Sequence, residues 1–317
     1  MKNIEQIKQE LKFFVRKHNI CKEDFITGNN YTELFRKINE IKQFCTDSFD
    51  TEEEFHSIFN NQLIIENGVL LCNCTRSKLV EIPNSVTSIG DRAFYGSMKL
   101  RSVVIPDSVT SIGLYAFGGC YLSEVEIPDS VISIKRRAFD CTALTKVKIS
   151  NSIKLIEDGV FSGCRNLTSV TIPDSVTSIG EAAFSACINL TSVIIPESVI
   201  SINKAAFQHC NNLKSIDMPA VVIIKEGAFA LCKNLTSVKM SDSMVLIENH
   251  AFEYCSKLTS IIIPNSVISI GNYTFQYCTS LTSVELPESI VLDGTEFKNC
   301  ISLNKIKLYK IITLTNK

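Results

Sequence analysis

The side chains with the most reactive chemistry in this sequence are its cysteines, which number 13 among 317 residues. Cys72 and Cys74 alternate onto one face, but a zinc site needs four ligands, and only Cys21 and Cys45 remain outside a recurring column. That column holds nine cysteines: Cys120, Cys141, Cys164, Cys187, Cys210, Cys232, Cys255, Cys278 and Cys300. Because a buried thiol packs as a small hydrophobic group, the column predicts reduced, stacked thiols in a reducing compartment, and no metal site.

Histidine, the most common general acid or base near neutral pH, occurs only four times, at His18, His56, His209 and His250. All four are expected to be solvated surface residues. The sequence has no glycine-rich phosphate loop, no paired-carboxylate motif, and neither an HExxH nor a GxSxG motif. It therefore predicts a protein without catalytic residues and without a cofactor, and not an enzyme.

A repeated stretch organises the chain. The segment NLTSVTIPDSVTSIGEAAFSAC, residues 166–187, recurs ten times from Leu79 to Leu308 at intervals of 22 or 23 residues. Its register is marked by Phe94, Phe117, Phe139, Phe161, Phe184, Phe207, Phe229, Phe252, Phe275 and Phe297. A fixed period of this length is typical of a solenoid, in which each copy buries its apolar side chains only against its neighbours.

Each copy contains three local patterns. Leu167–Ile172 alternates apolar and polar residues and is rich in β-branched side chains, which predicts a strand. A proline corner ends that strand, and Ser175–Ile179 predicts a second short extended piece. Glu181–Cys187 predicts one or two helical turns. The fold class predicted is an α/β repeat solenoid, with a curved parallel β-sheet on the concave side and short helical turns opposite.

The segments outside the repeats predict three further regions. Residues 1–60 contain three amphipathic patterns and are expected to form a helical cap or a separate partner-binding module. Residues 61–78 contain Asn67-Gly68 between two apolar runs, which predicts a capping β-hairpin. The ten repeats occupy 79–308, and the lysine-rich residues 309–317 form a C-terminal edge segment.

Charge and hydropathy narrow the choice of partners. A formal net charge of −1 offers no basic face for nucleic acid. No apolar run of about 18 residues predicts a membrane span, and the charged first residues do not have the pattern of a signal peptide. The sequence predicts a cytoplasmic monomer that binds a protein partner.

The repeat pattern LxxVxIPxSVxSIGxxAFxxC resembles the BspA-like leucine-rich repeat, also called the Treponema pallidum type, over residues 79–308. In place of the asparagine ladder of general leucine-rich repeats, this pattern has a serine column: Ser85, Ser108, Ser130, Ser152, Ser175, Ser198, Ser243, Ser266 and Ser289. The resemblance implies adhesion or protein–protein recognition on the concave strands, and it implies no catalytic site. Two hypotheses follow: an intracellular binding scaffold, and a cell-surface adhesin exported without a recognisable signal.

The candidate binding face consists of side chains that alternate with the buried positions of each predicted strand and vary in charge and size. They are Val104, Glu124, Glu126, Lys146, Lys148, Thr171, Ile194, Asp217, Lys239, Ile262, Glu285 and Lys307.

Overall fold

The fold was analysed in a computed structural model, which describes residues 9, 10, 13 and 62–309. Residues 9, 10 and 13 are helical. The rest of the predicted helical region 1–60, and most of the C-terminal edge segment, lie outside the described residues.

A hairpin begins the continuous part of the structure. Strands β1 (Leu63–Glu66) and β2 (Val69–Asn73) pair antiparallel. Asn67 and Gly68 between them have φ angles of 50° and 77°. Two successive positive φ angles are the requirement of a type I′ turn, which explains the Asn-Gly pair at this point.

A first strand, defined as the strand at the position of Leu167–Ile172 in the repeat, recurs at each repeat interval. Eleven such strands occur in the described residues, because the last one follows the tenth marker phenylalanine. The first strands are β3 (Leu79–Glu81), β5 (Ser102–Val104), β7 (Glu124–Glu126), β9 (Lys146–Lys148), β11 (Ser169–Thr171), β13 (Ser192–Ile194), β15 (Ser215–Asp217), β17 (Ser237–Lys239), β19 (Ser260–Ile262), β21 (Ser283–Pro287) and β22 (Lys305–Tyr309). Their pairing is parallel and places equivalent residues of neighbouring repeats opposite each other, as the fixed period requires.

The expectation of a single sheet of first strands is wrong in detail. They form five ladders of two or three strands: β3–β5, β7–β9, β11–β13, β15–β17 and β19–β21–β22. Neighbouring ladders are still joined by backbone hydrogen bonds just before the strands, such as Ser123 N–H to the Arg101 carbonyl at 3.1 Å. The repeats therefore stay stacked although the regular pairing is interrupted.

The second strands, which follow the proline corner, form longer ladders. They are β4 (Ser88–Ile89), β6 (Ser111–Ile112), β8 (Ser133–Ile134), β10 (Leu155–Ile156), β12 (Ser178–Ile179), β14 (Ser201–Ile202), β16 (Ile223–Ile224), β18 (Leu246–Ile247) and β20 (Ser269–Ile270). One sheet contains β1, β2, β4, β6 and β8. Another contains the six second strands β10, β12, β14, β16, β18 and β20. The hairpin thus extends the first of these sheets at its N-terminal end, because β2 pairs with β4.

The predicted helical turns are wrong: the described repeats have turns, not helix, at this place. In residues 180–187 the backbone N–H groups alternate between two kinds of acceptor. Ala183, Ser185 and Cys187 donate to the carbonyl three residues earlier. Ala182, Phe184 and Ala186 instead donate to carbonyls of the next repeat, at 2.7 to 2.9 Å. An α-helix would direct every donor to the residue four positions earlier, so this segment joins repeats rather than bonding to itself.

The core contains a column of stacked aromatic side chains along the solenoid axis. Nine of the ten marker phenylalanines, from Phe94 to Phe275, are fully buried, and Phe297 is partly buried. Neighbouring rings lie 4.7 to 5.6 Å apart between centroids and within 16° of parallel. The repeat period therefore fixes an uninterrupted aromatic column.

The cysteine column lies beside the phenylalanine column. One residue, Cys141, was wrongly assigned to it. Cys141 is exposed, and Thr142 takes the buried place three residues after Phe139. The spacing explains the error, because the other column members also follow their phenylalanine by three residues. The hydroxyl of Thr142 donates to the Phe139 carbonyl at 3.0 Å and thereby satisfies its buried polar atom.

The thiols of the column are hydrogen-bonded as well as buried. Cys187 Sγ donates to the carbonyl of Phe161 in the preceding repeat at 3.2 Å, and Cys210 Sγ donates in the same way to Phe184. The seven column cysteines from Cys164 to Cys300 are free thiols. The column therefore joins successive repeats without disulfide bonds at these positions.

The serine column has a similar role at the proline corner. Ser108, Ser175 and Ser266 donate from Oγ to backbone carbonyls of the preceding repeat, at 2.6 to 2.7 Å. These bonds satisfy carbonyl groups that the corner leaves outside the strand ladders. Serine at this column thus supplies hydrogen bonds between successive repeats.

Candidate binding face

The outward side chains of the first strands form a continuous surface, which we call the first-strand face. In β5, β7, β9, β11, β13, β15 and β19 the central residue is buried and both flanking residues are exposed. The structure places eleven of the twelve predicted face residues in exposed positions, and Glu285 is half-buried. This surface therefore consists of the side chains that the sequence analysis predicted to point outward.

Charged residues on the first-strand face pair with each other across neighbouring strands. Lys239 Nζ lies 3.0 Å from Asp217 Oδ2, and Lys307 Nζ lies 3.3 Å from Glu285 Oε1. Lys148 pairs in the same way with Glu126. Parallel in-register pairing causes this, because it places each outward residue directly beside its equivalent in the next repeat.

These pairs determine the electrostatic character of the face. The hydrogen bond that Lys148 donates to Glu126 raises the pKa of Lys148, since the carboxylate stabilises the charged ammonium form. All three pairs are solvent-exposed, so each contributes little to stability. Their main consequence is that opposite charges alternate along the axis, which a partner would have to match.

Two exposed isoleucines lie among the charged side chains of the first-strand face. Ile194 in β13 is 62% exposed and Ile262 in β19 is 61% exposed. Ile262 lines an open depression of about 640 Å³, together with Lys239, Glu285 and Lys307. An apolar centre surrounded by charged side chains is the arrangement found in many protein interfaces, where a buried core is enclosed by a polar rim.

A second, partly exposed cluster lies on the turn segments, and the sequence analysis did not identify it. Tyr254 and Tyr277 stack with centroids 4.5 Å apart, and His250 stacks on Tyr273 at 5.2 Å. All four have φ angles near 58°. The signal was present in the sequence, because the position two residues after the phenylalanine is glycine in three of the first four repeats and tyrosine in two consecutive later repeats, at Tyr254 and Tyr277.

The turn histidines are surface residues, as expected. His209 is exposed, whereas His250 is half-buried and its Nδ1 lies 3.0 Å from Glu253 Oε2. No group of three or more histidine, cysteine or acidic residues that could hold a metal ion was found in the described part of the chain.

The buried thiols have the chemistry of packing groups rather than nucleophiles. Desolvation raises the pKa of Cys164 and of Cys232 to about 12. Since the thiolate is the reactive form, these groups are chemically inert near neutral pH. Cys141 is exposed, but partial burial and the neighbouring Asp140 carboxylate also raise its pKa.

Within residues 62–309 and the described residues 9, 10 and 13, there is no helix that combines the length and the apolar character needed to cross a membrane.

A parallel solenoid with this repeat length defines a leucine-rich repeat protein. The family model of the BspA type leucine rich repeat region matches residues 64–188, 133–222, 154–244 and 202–317. These matches together extend from residue 64 to residue 317, so the chain belongs to the BspA-type leucine-rich repeat family.

Solved structures similar to this chain include two bacterial proteins. A leucine-rich repeat protein of Treponema pallidum is 30% identical, with 55% of this chain and 87% of that protein aligned and a TM-score of 0.50. A leucine rich cell surface protein of Faecalibacterium prausnitzii is 26% identical over 78% of this chain and 92% of that protein, with a TM-score of 0.44. No curated protein matches the sequence significantly.

Proposed function

We propose that the chain is a non-catalytic scaffold that binds another protein through the first-strand face, which the repeat pattern predicts to be the concave side of the solenoid. The observation that carries this proposal is the contrast between the two kinds of strand position. Inward positions repeat the same apolar residues, whereas one outward position changes from Glu126 to Lys148 to Ile194 while remaining exposed. Side chains that the fold leaves free to vary are the ones available for recognition.

The centre of the proposed interface is the depression around Ile262. Exposed isoleucine there offers apolar area, and Lys239, Glu285 and Lys307 offer charges of both signs at its border. A protein surface with an apolar projection and complementary charges fits this site better than nucleic acid, because anionic phosphates would meet the face's own carboxylates.

The test is a matched pair of substitutions. Ile262→Glu places a charge in the depression, and Ile268→Glu makes the same change beside second strand β20 of the same repeat. Both isoleucines are exposed, at 61% and 75%, so neither change should unfold the array. A partner captured from extract and then purified should bind Ile262→Glu at least tenfold more weakly, while Ile268→Glu should bind as wild type does.

Two results would contradict the proposal. Equal affinity of both variants would remove the first-strand face from recognition. Loss of binding by Ile268→Glu alone would transfer recognition to the second-strand side.

The second candidate function is adhesion at the cell surface, and it is favoured by membership in the BspA-type family. It uses the same binding face and differs in location from a cytoplasmic scaffold. Protease treatment of intact cells distinguishes the two: an adhesin should be digested before lysis, and a cytoplasmic protein only afterwards. Size-exclusion chromatography with light scattering tests the predicted monomer.

A further inference from the structure

Strand β22 is the last of the first strands and, like β21, is longer than the others. It has five residues rather than the usual three, and it pairs with β21 through all five of them. In the described part of the chain, no strand lies along its other side. This leaves a sheet edge of the kind to which extended segments can add.

The backbone of β22 has a donor oriented for such an addition. In earlier repeats the residue before the corner donates its N–H to the next first strand: Ile172 to the Ile194 carbonyl at 3.0 Å, and Ile263 to the Glu285 carbonyl at 2.9 Å. Leu308 is the equivalent residue, since it lies opposite Leu286 in the register. Its N–H is therefore directed to the place where a further strand would lie.

The side chains of β22 leave apolar surface open at the same place. Ile306 and Leu308 are 52% and 57% exposed, whereas their register partners Val284 and Leu286 are fully buried. In the rest of the array, the next repeat covers these positions. An added strand with an apolar central residue would bury Ile306 in the same manner.

Charge indicates the chemistry of that strand. Wherever the first-strand face has an ion pair, a lysine on one strand meets a carboxylate on the strand before it. Lys305 and Lys307 are both exposed on β22, and Lys305 lies opposite the uncharged Ser283. Lys307 already pairs with Glu285 on β21, so carboxylates on an added strand would give Lys305 an ionic partner and Lys307 a second one.

We infer that the free edge of β22 is a docking site for an extended acidic segment of a partner protein. That segment carries carboxylates at two positions separated by one apolar residue, and it adds to the sheet as a further strand. The edge lies at the end of the first-strand face and shares Lys307 with the lining of the Ile262 depression, whereas the outward N–H of Leu308, on which strand addition depends, lies outside that lining.

Charge disfavours the two other occupants. A β22 strand from a second copy would bring lysines against lysines, which is unfavourable across a strand pair. Residues 310–317, KIITLTNK, contain two lysines and no aspartate or glutamate. Neither occupant supplies the complementary carboxylates.

The array itself provides the probe. Strand β7 has the outward residues Glu124 and Glu126, and it pairs with the lysine-bearing strand β9. A fluorescent peptide with the sequence of residues 123–128, SEVEIP, should bind the full chain, and the charge-reversed peptide SKVKIP should bind at least tenfold more weakly. Fluorescence anisotropy measures both affinities.

Two variants distinguish strand addition from simple charge attraction. Leu308→Pro removes the outward N–H, and proline is tolerated at a sheet edge that faces solvent. Leu308→Pro should weaken SEVEIP binding at least tenfold. Leu308→Ala keeps the N–H, and its loss of affinity should be less than half that of Leu308→Pro. Ile262→Glu should leave the peptide affinity unchanged, so a failure here is separate from a failure of the Ile262 interface.

Each result that would contradict the inference has a different meaning. Equal binding of the two peptides, or equal effects of Leu308→Pro and Leu308→Ala, would overturn the inference. Absence of binding by either peptide would mean that residues 310–317 or another part of the chain covers the edge. If the molar mass in solution increases with protein concentration, and Leu308→Pro returns it to that of a monomer, the edge binds a second copy instead.

Discussion

At the scale of single residues, the turn segments depend on left-handed backbone conformations that sequence patterns do not reveal. Ala182 and Ala186 on either side of Phe184 have φ angles of 52° and 57°. This region is unfavourable for a residue with a Cβ. It is maintained here because Ala182 and Ala186 each donate an N–H to the next repeat. Inter-repeat bonding thus offsets a local conformational cost.

Cysteine reactivity gives a prediction at this scale. Cys141 is exposed, whereas the column thiols from Cys164 to Cys278 are fully buried. Among the cysteines of residues 62–309, iodoacetamide should therefore modify Cys141 first in the native protein, and faster as pH rises, because its raised pKa keeps the thiolate fraction low near neutrality. Peptide mass spectrometry measures the order of labelling. Equally rapid native labelling of Cys187 would show that the column is accessible.

At the scale of elements, the cysteine column couples folding to pH. Burial raises the folded-state pKa of Cys164 and Cys232 to about 12 from a reference of 9. Above the unfolded pKa, the unfolded chain loses these protons while the folded chain keeps them. The stabilisation is thus fully present below about pH 9 and is lost as pH rises toward 12.

This coupling predicts alkaline unfolding. Each buried thiol should lower the free energy of unfolding by about 1.4 kcal/mol per pH unit between the two pKa values. The double variant Cys164→Ala/Cys232→Ala should therefore show a slope shallower by about 2.7 kcal/mol per pH unit near pH 10.5. Urea titrations at several pH values measure the slope. A slope identical to that of wild type would mean that these thiols ionise in the folded protein.

At the scale of the whole molecule, the array is cooperative along one axis because each repeat packs only on its neighbours. Phe184 is fully buried between Phe161 and Phe207, with centroids 5.4 and 5.3 Å away. Phe297 is only partly buried and stacks on Phe275. Loss of the central ring interrupts the column, whereas loss of the last ring affects one end.

The two phenylalanines therefore predict unequal effects. Phe184→Ala should lower the free energy of unfolding by about 3 to 5 kcal/mol and broaden or split the thermal transition. Phe297→Ala should cost less and cause fraying confined to the final repeats. Calorimetry with hydrogen exchange by repeat measures both. Equal losses from the two variants would be inconsistent with a one-dimensional array.

The sequence alone determined the solenoid, its in-register stacking and the exposure of the first-strand face. A 22- or 23-residue period forces equivalent residues to lie side by side, and alternation around Val170 or Val193 fixes which side chains point outward. The same spacing also contained the correct assignment of Thr142, although the nearby Cys141 obscured it.

Only the tertiary structure decided the conformation of the turn segments, the cross-strand ion pairs and the stacked tyrosines. The reason is physical: the N–H groups of Ala182, Phe184 and Ala186 bond to residues 22 positions later. Local periodicity describes neighbours within one copy, so Glu181–Cys187 had the apolar spacing of a helix. Its hydrogen bonds, however, belong to contacts between copies, which only the stacked array creates.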